Sequence, residues 1–133
     1  MTSSDLLKAA QAFQNKANNI AVILPQVIGL AKGAVIATNH LLSLPKYQKS
    51  AGLQTIATEL PTLQQELQRL NTNRSLPQTV ASIKNHLSRM AFYTSKSNVG
   101  TGYDPITDAR DGGYSAPSYF INTMIRLFDT LKL

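Results

Sequence analysis

Residues 18–40 read NNIAVILPQVIGLAKGAVIATNH, and this stretch decides the fold because it is apolar enough to form a long buried helix. Small residues recur at every fourth position along it and just before it, at Ala17, Ala21, Pro25, Gly29, Gly33 and Ala37. That spacing lets another backbone approach a helix closely. On a helical wheel one side of the stretch carries no acidic residue, and its polar and small members are Asn18, Gln26, Gly29, Lys32, Gly33 and His40.

Three interpretations of this stretch are open. A membrane span would insert residues 20–37, although Pro25, Gln26 and Lys32 are costly near the middle of a bilayer. A buried core helix explains the apolar side fully. A helix that lies along nucleic acid explains the acid-free side, because glycine removes bulk, lysine neutralises phosphate, and amides donate hydrogen bonds to phosphate oxygens. The core helix and the nucleic-acid helix are comparably supported interpretations, and the membrane span is less well supported.

The charge distribution points to a polyanionic partner. The chain has 133 residues, 13 Lys and Arg against 7 Asp and Glu, a formal net charge of +6 and no cysteine. No acidic residue lies between Asp5 and Glu59, a range that holds five lysines. Such a balance favours nucleic acid or an anionic membrane surface, although an ordinary basic protein has the same composition. Without cysteine, disulfides and thiolate metal sites are excluded.

The periodicity predicts helices along nearly the whole chain. The first begins after a Ser3 or Ser4 cap, is kinked at Pro25 and runs to about Leu44. The second covers about residues 50–70 with a heptad seam, which Pro61 kinks or briefly breaks. The third follows a Ser75 cap and Pro77 to about Ser95, and the last opens at Ser115 and Pro117. Residues 97–116, rich in glycine and aspartate, are predicted as a loop.

No period-2 strand is evident, so the predicted fold is all-α. It is a helical bundle of about four helices with a long, kinked N-terminal helical arm. Residues 1–45 form the arm and residues 46–133 the bundle. The chain fits a single folded unit of ordinary size.

The sequence predicts no catalytic residue, metal site, cofactor or small-molecule substrate, because it lacks a nucleotide-binding loop and a nucleophile elbow. Asp104, Asp108 and Asp111 do not match the spacing of an EF-hand loop and are predicted to supply turns. His40 and His86 lie in different helices, which argues against a shared metal ion. The protein is therefore predicted not to be an enzyme.

A second basic stripe lies on the third helix, where His86, Arg89, Tyr93 and Lys96 are spaced 3-4-3. It suits contact with a nucleic-acid backbone, but a solvated polar face is the favoured interpretation of this stripe alone. The residues predicted to bind nucleic acid are Lys8, Lys16, Asn18, Gln26, Gly29, Lys32, Gly33, His40, Arg89 and Lys96.

The acid-free arm, SSDLLKAAQAFQNKANNIAVILPQVIGLAKGAVIATNH, followed by a compact bundle resembles the major coat proteins of filamentous and rod-shaped archaeal double-stranded DNA viruses. The resemblance is one of overall style rather than of a motif. It implies a virion protein that assembles helically around linear double-stranded DNA through sequence-independent phosphate contacts. It also implies a second copy or a paralogous coat subunit as partner, in a homo- or heterodimer within a filament, and in enveloped members a lipid envelope.

Two alternatives to a coat subunit are open. One is a membrane-associated helical protein that inserts residues 20–37 and places its lysines on anionic lipid. The other is a tail or neck component of a bacterial virus, which would have protein partners only.

Overall fold

A computed structural model describes residues 2–72, 77–94 and 102–130, with the backbone alone for residues 12–19 and 77. These ranges are helical and contain no strand, which confirms the all-α prediction. The elements are α1 (Ser3–Ser43), a 3-10 turn (Pro45–Tyr47), α2 (Ala51–Thr72), α3 (Pro77–Thr94), α4 (Pro105–Asp111) and α5 (Pro117–Asp129).

Helix α1 begins with a capping box rather than with the predicted serine cap. The Thr2 hydroxyl accepts a hydrogen bond from the backbone N–H of Asp5 at 3.2 Å, and the Asp5 carboxylate accepts one from the N–H of Thr2 at 3.2 Å. The bonds that the Thr2 N–H and the Thr2 hydroxyl donate to the Asp5 carboxylate lower the pKa of Asp5. The helix then runs unbroken through the exposed Pro25 to Ser43.

The division into an arm of residues 1–45 and a separate bundle does not describe the packing of α1. A heptad seam within it is buried, at Ile20, Leu24, Val27, Ala31, Ala34, Thr38 and Leu41. The apolar members of this seam belong to the same core as residues of α2, α3 and α5. This packing stabilises the fold because it removes the apolar side of α1 from water. Residues 2–11, in contrast, are exposed on every side and form a projecting end of the helix.

Helix α2 buries the predicted heptad seam of Leu53, Ile56, Leu60, Leu63, Leu67 and Leu70. The predicted kink or break at Pro61 is not a break, since α2 is continuous from Ala51 to Thr72. Pro61 is exposed, and the backbone carbonyl that lacks its usual N–H partner therefore faces water rather than the core.

The four long helices share one core. Helix α1 packs along α2 and α5, and α3 packs along the same two helices. The core side chains of the second half of the chain are Val80, Ile83, Leu87, Met90, Ile121, Met124 and Phe128. The short α4 and the 3-10 turn lie against α1.

Helix α4 lies where the sequence predicts only loop. Asp104 caps it by accepting a hydrogen bond from the N–H of Thr107 at 3.2 Å, and Pro105 occupies its first turn. Its single buried residue is Ala109, which holds it against the core. Seven residues with one buried position are too short to show a helical period, so the prediction was wrong here.

The 3-10 turn is bound to α4 through Tyr47, which is fully buried. The Tyr47 hydroxyl donates a hydrogen bond to the Asp108 carboxylate and accepts one from the N–H of Asp104 at 3.1 Å. Lys46 Nζ lies 3.2 Å from the same carboxylate. The hydrogen bond from Tyr47 lowers the pKa of Asp108, while burial and the bond to Asp108 raise the pKa of Tyr47.

Candidate nucleic-acid interface

The outward side of α1 carries three of the predicted binding residues. Gln26, Gly29 and Lys32 are exposed there. A Cβ atom at Gly29 would meet nothing within 4 Å, so the surface is open to close approach. The Gln26 amide donates to the carbonyl oxygen of Val22 at 3.2 Å, which holds it on this side of the helix. The exposed residues of this side include no acid: they are Val22, Pro25, Gln26, Gly29, Lys32, Ile36, Asn39 and Ser43.

Helix α2 extends this acid-free surface. Lys32 shares a shallow cleft with Gln64 and Gln68 of α2. We call the surface formed by Gln26, Gly29, Lys32, Gln64 and Gln68 the α1–α2 face. It combines one cation, three side-chain amides and one glycine, and lysine and amide side chains are among the groups that contact phosphate oxygens.

The two glutamates of α2 are absent from this face because they point toward α3. His86 lies between them, with Nε2 3.5 Å from Glu66 Oε1 and Nδ1 3.9 Å from Glu59 Oε2. Arg89 Nε lies 3.5 Å from Glu59 Oε1, and the Ser82 hydroxyl donates to Glu66 at 2.9 Å. Two members of the stripe on α3, His86 and Arg89, are therefore part of the α2–α3 contact. Arg89 is already paired with a carboxylate, which is evidence against its predicted role at phosphate.

Most acidic side chains are engaged inside the molecule. Asp5 and Asp104 cap helices, Asp108 binds Lys46, and the two glutamates bind α3. Within the described ranges only Lys46 and Arg89 among the lysines and arginines form an ion pair. The cations without one there are Lys8, Lys32, Lys49, Arg69, Lys84, Arg110 and Arg126. The outer surface thus presents mainly positive charge.

Two predicted residues contact the protein itself instead of facing outward. Gly33 lies against the Phe120 ring of α5, and a Cβ atom there would come within 2.5 Å of Phe120 Cε1. The His40 ring packs on Tyr114 with ring centroids 4.6 Å apart. These contacts with the chain around α4 and α5 count against the prediction that Gly33 and His40 face phosphate.

Of the remaining predicted residues, the structure describes the side chain of one and not those of the other three. Lys8 is exposed on the projecting end of α1. The side chains of Lys16 and Asn18, and the whole of Lys96, lie outside the described residues.

The sequence analysis missed an open groove between α4 and α5. It has a volume of about 440 Å³, and its lining includes Ile106, Arg110, Tyr114, Tyr119 and Arg126. We call this the α4–α5 groove. The signal available in the sequence was the i, i+7 spacing of Tyr119 and Arg126 on α5, which places both on one side of that helix.

The apolar segment Ile20–Ser43 of α1 is long and apolar enough to cross a membrane. Ile20, Ile23, Leu24 and Val27 within it are at most 7% exposed, so they are used in the core. In the described ranges no group of three or more His, Cys, Asp or Glu side chains is placed to hold a metal ion. The chain matches no protein-family model, no curated protein and no solved structure with which it was compared.

Proposed function

We propose that this protein is a structural virion subunit that coats linear double-stranded DNA through phosphate contacts on its α1–α2 face. The observation that carries the proposal is the absence of acids from this face, while five of the seven acids of the chain are engaged within the molecule. In the proposed subunit the four long helices form a bundle, and the N-terminal end of α1 projects from it as an arm.

Each group of the face has a definite role in this contact. Gly29 allows the phosphate backbone to lie close to α1, because no side chain or neighbour occupies the space above it. Lys32 offsets phosphate charge, and the amides of Gln26, Gln64 and Gln68 donate hydrogen bonds to phosphate oxygens. None of these groups reads a base edge, so binding is independent of sequence.

The size of the charge favours a polymer over an isolated DNA-binding protein. Duplex DNA carries one charge per about 1.7 Å, so a net charge of +6 balances roughly six phosphates, or about three base pairs. A single copy therefore binds weakly, and contacts between neighbouring copies must hold the coat together. The neighbour is a second copy of this chain or a paralogous subunit.

One observation favours a membrane-associated protein as the second candidate. Val22 and Ile36 lie on the outward side of α1 and are 66% and 53% exposed. They belong to the one segment of the described ranges that is long and apolar enough to span a bilayer. Inserting that segment would require Leu24 and Val27 to leave the core, and this loss counts against the candidate.

The test is retardation of random-sequence duplex DNA at salt concentrations from about 50 to 200 mM, over which phosphate-based binding weakens strongly. The wild-type protein is expected to bind all duplexes alike and more weakly as salt rises. Lys32→Gln removes a phosphate contact. The fall of log affinity with log salt concentration is therefore expected to become less steep, by about one unit of slope.

The matched control is Lys84→Gln, which removes the same charge from α3, away from the α1–α2 face. Equal losses for Lys32→Gln and Lys84→Gln would show that net charge alone drives binding. A protein that ignores DNA but floats with vesicles containing anionic lipid would support the membrane candidate instead.

A further inference from the structure

The projecting end of α1 exposes an apolar strip that continues the core seam. Leu6 and Ala10 stand two heptads before Ile20 and Leu24, so all four lie on the same side of the helix. Ile20 and Leu24 are 3% and 1% exposed, whereas Leu6 is 58% and the adjacent Leu7 60% exposed. Nothing in the described part of the chain covers the two leucines. The strip therefore ends in an apolar surface that lacks a partner.

The α4–α5 groove is a second exposed apolar surface, and it carries positive charge. Ile106 and Tyr119 are 64% and 53% exposed, and Tyr114 is 40% exposed. Arg110 and Arg126 line the same groove and have no ion pair within the described ranges. An open apolar surface that also carries two cations, on a small protein, marks a contact site for a partner that is both apolar and acidic.

The groove cannot be filled by the projecting end of its own chain. Helix α1 is one continuous helix, which places Gly33 against Phe120 and His40 against Tyr114 beside the groove. Leu6 precedes Gly33 by 27 residues, which is about 40 Å along a helix at 1.5 Å per residue. A continuous helix cannot fold back on itself over that distance, so the occupant must come from another copy.

We propose that the N-terminal end of α1 from one copy docks into the α4–α5 groove of a second copy. Successive helical residues point about 100° apart, so Asp5 and Leu7 flank Leu6 on either side. Leu6 enters the groove, Leu7 packs along one edge, and Asp5 faces the arginines at the other. Asp5 is the one acidic residue among the first 58, so the charge match rests on this carboxylate, while Lys8 lies one turn further along the same projecting end.

This contact joins two different surfaces, so an open assembly keeps a free helix end on one terminal copy and a free groove on the other. Such a head-to-tail contact adds copies without limit unless the rotation closes a ring. It supplies the subunit contact that the proposed coat requires, and its place in a virion rests on the proposed function. The contact itself needs no DNA.

The absence of cysteine permits a direct test by cross-linking. Copies with Leu6→Cys are mixed with copies carrying Ile106→Cys and oxidised, without DNA. Disulfide-linked heterodimers are expected to exceed by about tenfold those formed with Thr62→Cys, an exposed control on α2; tenfold corresponds to about 1.4 kcal/mol of preference. Equal yields from the two mixtures overturn the proposal. Preferential linking of Leu6→Cys to itself also overturns it, because the helix ends then pair with one another.

A charge reversal tests the electrostatic part by sedimentation. Asp5→Arg is expected to weaken self-association by about tenfold, and combining it with Arg110→Asp and Arg126→Asp in one chain, so that every helix end and every groove is reversed, is expected to restore it. Restoration excludes a trivial effect of Asp5→Arg on the capping box. If the reversed groove does not restore association, the pairing of Asp5 with these arginines is wrong.

The two proposals fail separately. Lys32→Gln, which weakens DNA binding, is expected to leave the cross-link unchanged. Wild-type protein that binds DNA but gives no cross-link above the control overturns the docking contact alone. Protein that forms the cross-link but never retards DNA overturns the proposed coat function and leaves the docking contact standing.

Discussion

Gly29 and Gly33 stand four residues apart on the same helix, yet their surroundings differ completely. Gly29 lies in open space, whereas the ring of Phe120 fills the position that a side chain at Gly33 would occupy. The sequence places both on one side of the helix, and the wheel gives no reason to separate them. Only the position of α5 distinguishes a glycine that leaves room for a ligand from one that leaves room for the core.

Alanine at the two glycines is expected to have opposite effects. Gly33→Ala overpacks the contact with Phe120, which costs about 1–3 kcal/mol, offset by the roughly 1 kcal/mol that alanine gains over glycine in a helix. Its free energy of unfolding should therefore fall by about 1 kcal/mol. Gly29→Ala gains the helix term alone and should stabilise the protein by up to about 1 kcal/mol. Urea denaturation measures both, and a shift of the same sign in both variants would contradict the packing described.

His86 and Arg89 illustrate a second limit of reasoning from single residues. Their spacing on α3 is that of a surface stripe, and the sequence alone cannot show that Glu59 and Glu66 lie opposite them. The two glutamates are one heptad apart and each directly precedes a seam leucine of α2, which was the available signal. Pairing between two helices depends on their register, and register is set by the whole core rather than by either helix.

Among the elements, the seams of α2 and α3 were predictable because long amphipathic periods dominate them. The helix bounds expected from Pro77 and from the leucine spacing differ from the observed ones by at most two residues. Pro61 misled the prediction because the sequence does not say which side of a helix a proline occupies. On the exposed side, the helix continues through it.

The 3-10 turn and α4 are elements too short to form without tertiary contacts. They are held together by the buried Tyr47, whose hydroxyl bonds both to the Asp108 carboxylate and to the N–H of Asp104. This cluster was not predictable, because its members lie about 60 residues apart in the chain.

Tyr47→Phe is expected to reduce the free energy of unfolding at pH 7 by about 1–2 kcal/mol, since the Asp108 carboxylate and the Asp104 N–H each lose a partner. Because the folded-state pKa of Asp108 is lowered, its contribution is present above its ordinary pKa and is lost as pH falls through the folded value. The difference between wild type and variant should therefore shrink below about pH 4. Because the pKa of Tyr47 is raised, the wild type also loses its share of stability as pH rises above 10.

Urea denaturation at pH 7 and at pH 3 measures this effect, with Tyr119→Phe as the control because that side chain is exposed. A Tyr47→Phe difference that stays constant between the two pH values would show that Asp108 does not depend on the Tyr47 hydroxyl.

At the scale of the whole molecule, α1 combines two roles that the sequence analysis assigned to separate parts. Its residues 20–41 contribute to the core, and its residues 2–11 project into solvent. The apolar pattern predicts a buried helix but does not show at which residue α2 and α5 stop covering it. How far α2 and α5 extend along α1 depends on the whole fold, so a helical wheel of α1 alone does not show it.

Removal of residues 2–11 is expected to leave the thermal midpoint within a few degrees of wild type, because none of these residues is buried. Leu24→Ala, on the same helix but in the core, is expected to lower the free energy of unfolding by about 2–5 kcal/mol. Thermal unfolding followed by circular dichroism compares the two. Collapse of the truncated protein would mean that the projecting end supports its own fold.

Because α1 is continuous, its length sets the distance between its N-terminal end and the groove at its other end. In the proposed contact the docking end and the residues that flank the receiving groove belong to the same helix, and about 40 Å of that helix separates them. Seven residues inserted between positions 11 and 20 would lengthen that distance by about 10 Å while turning the tip only about 20°. In the proposed contact the spacing of neighbouring copies therefore depends on the length of this one helix, and an insertion would change it without altering either contact surface.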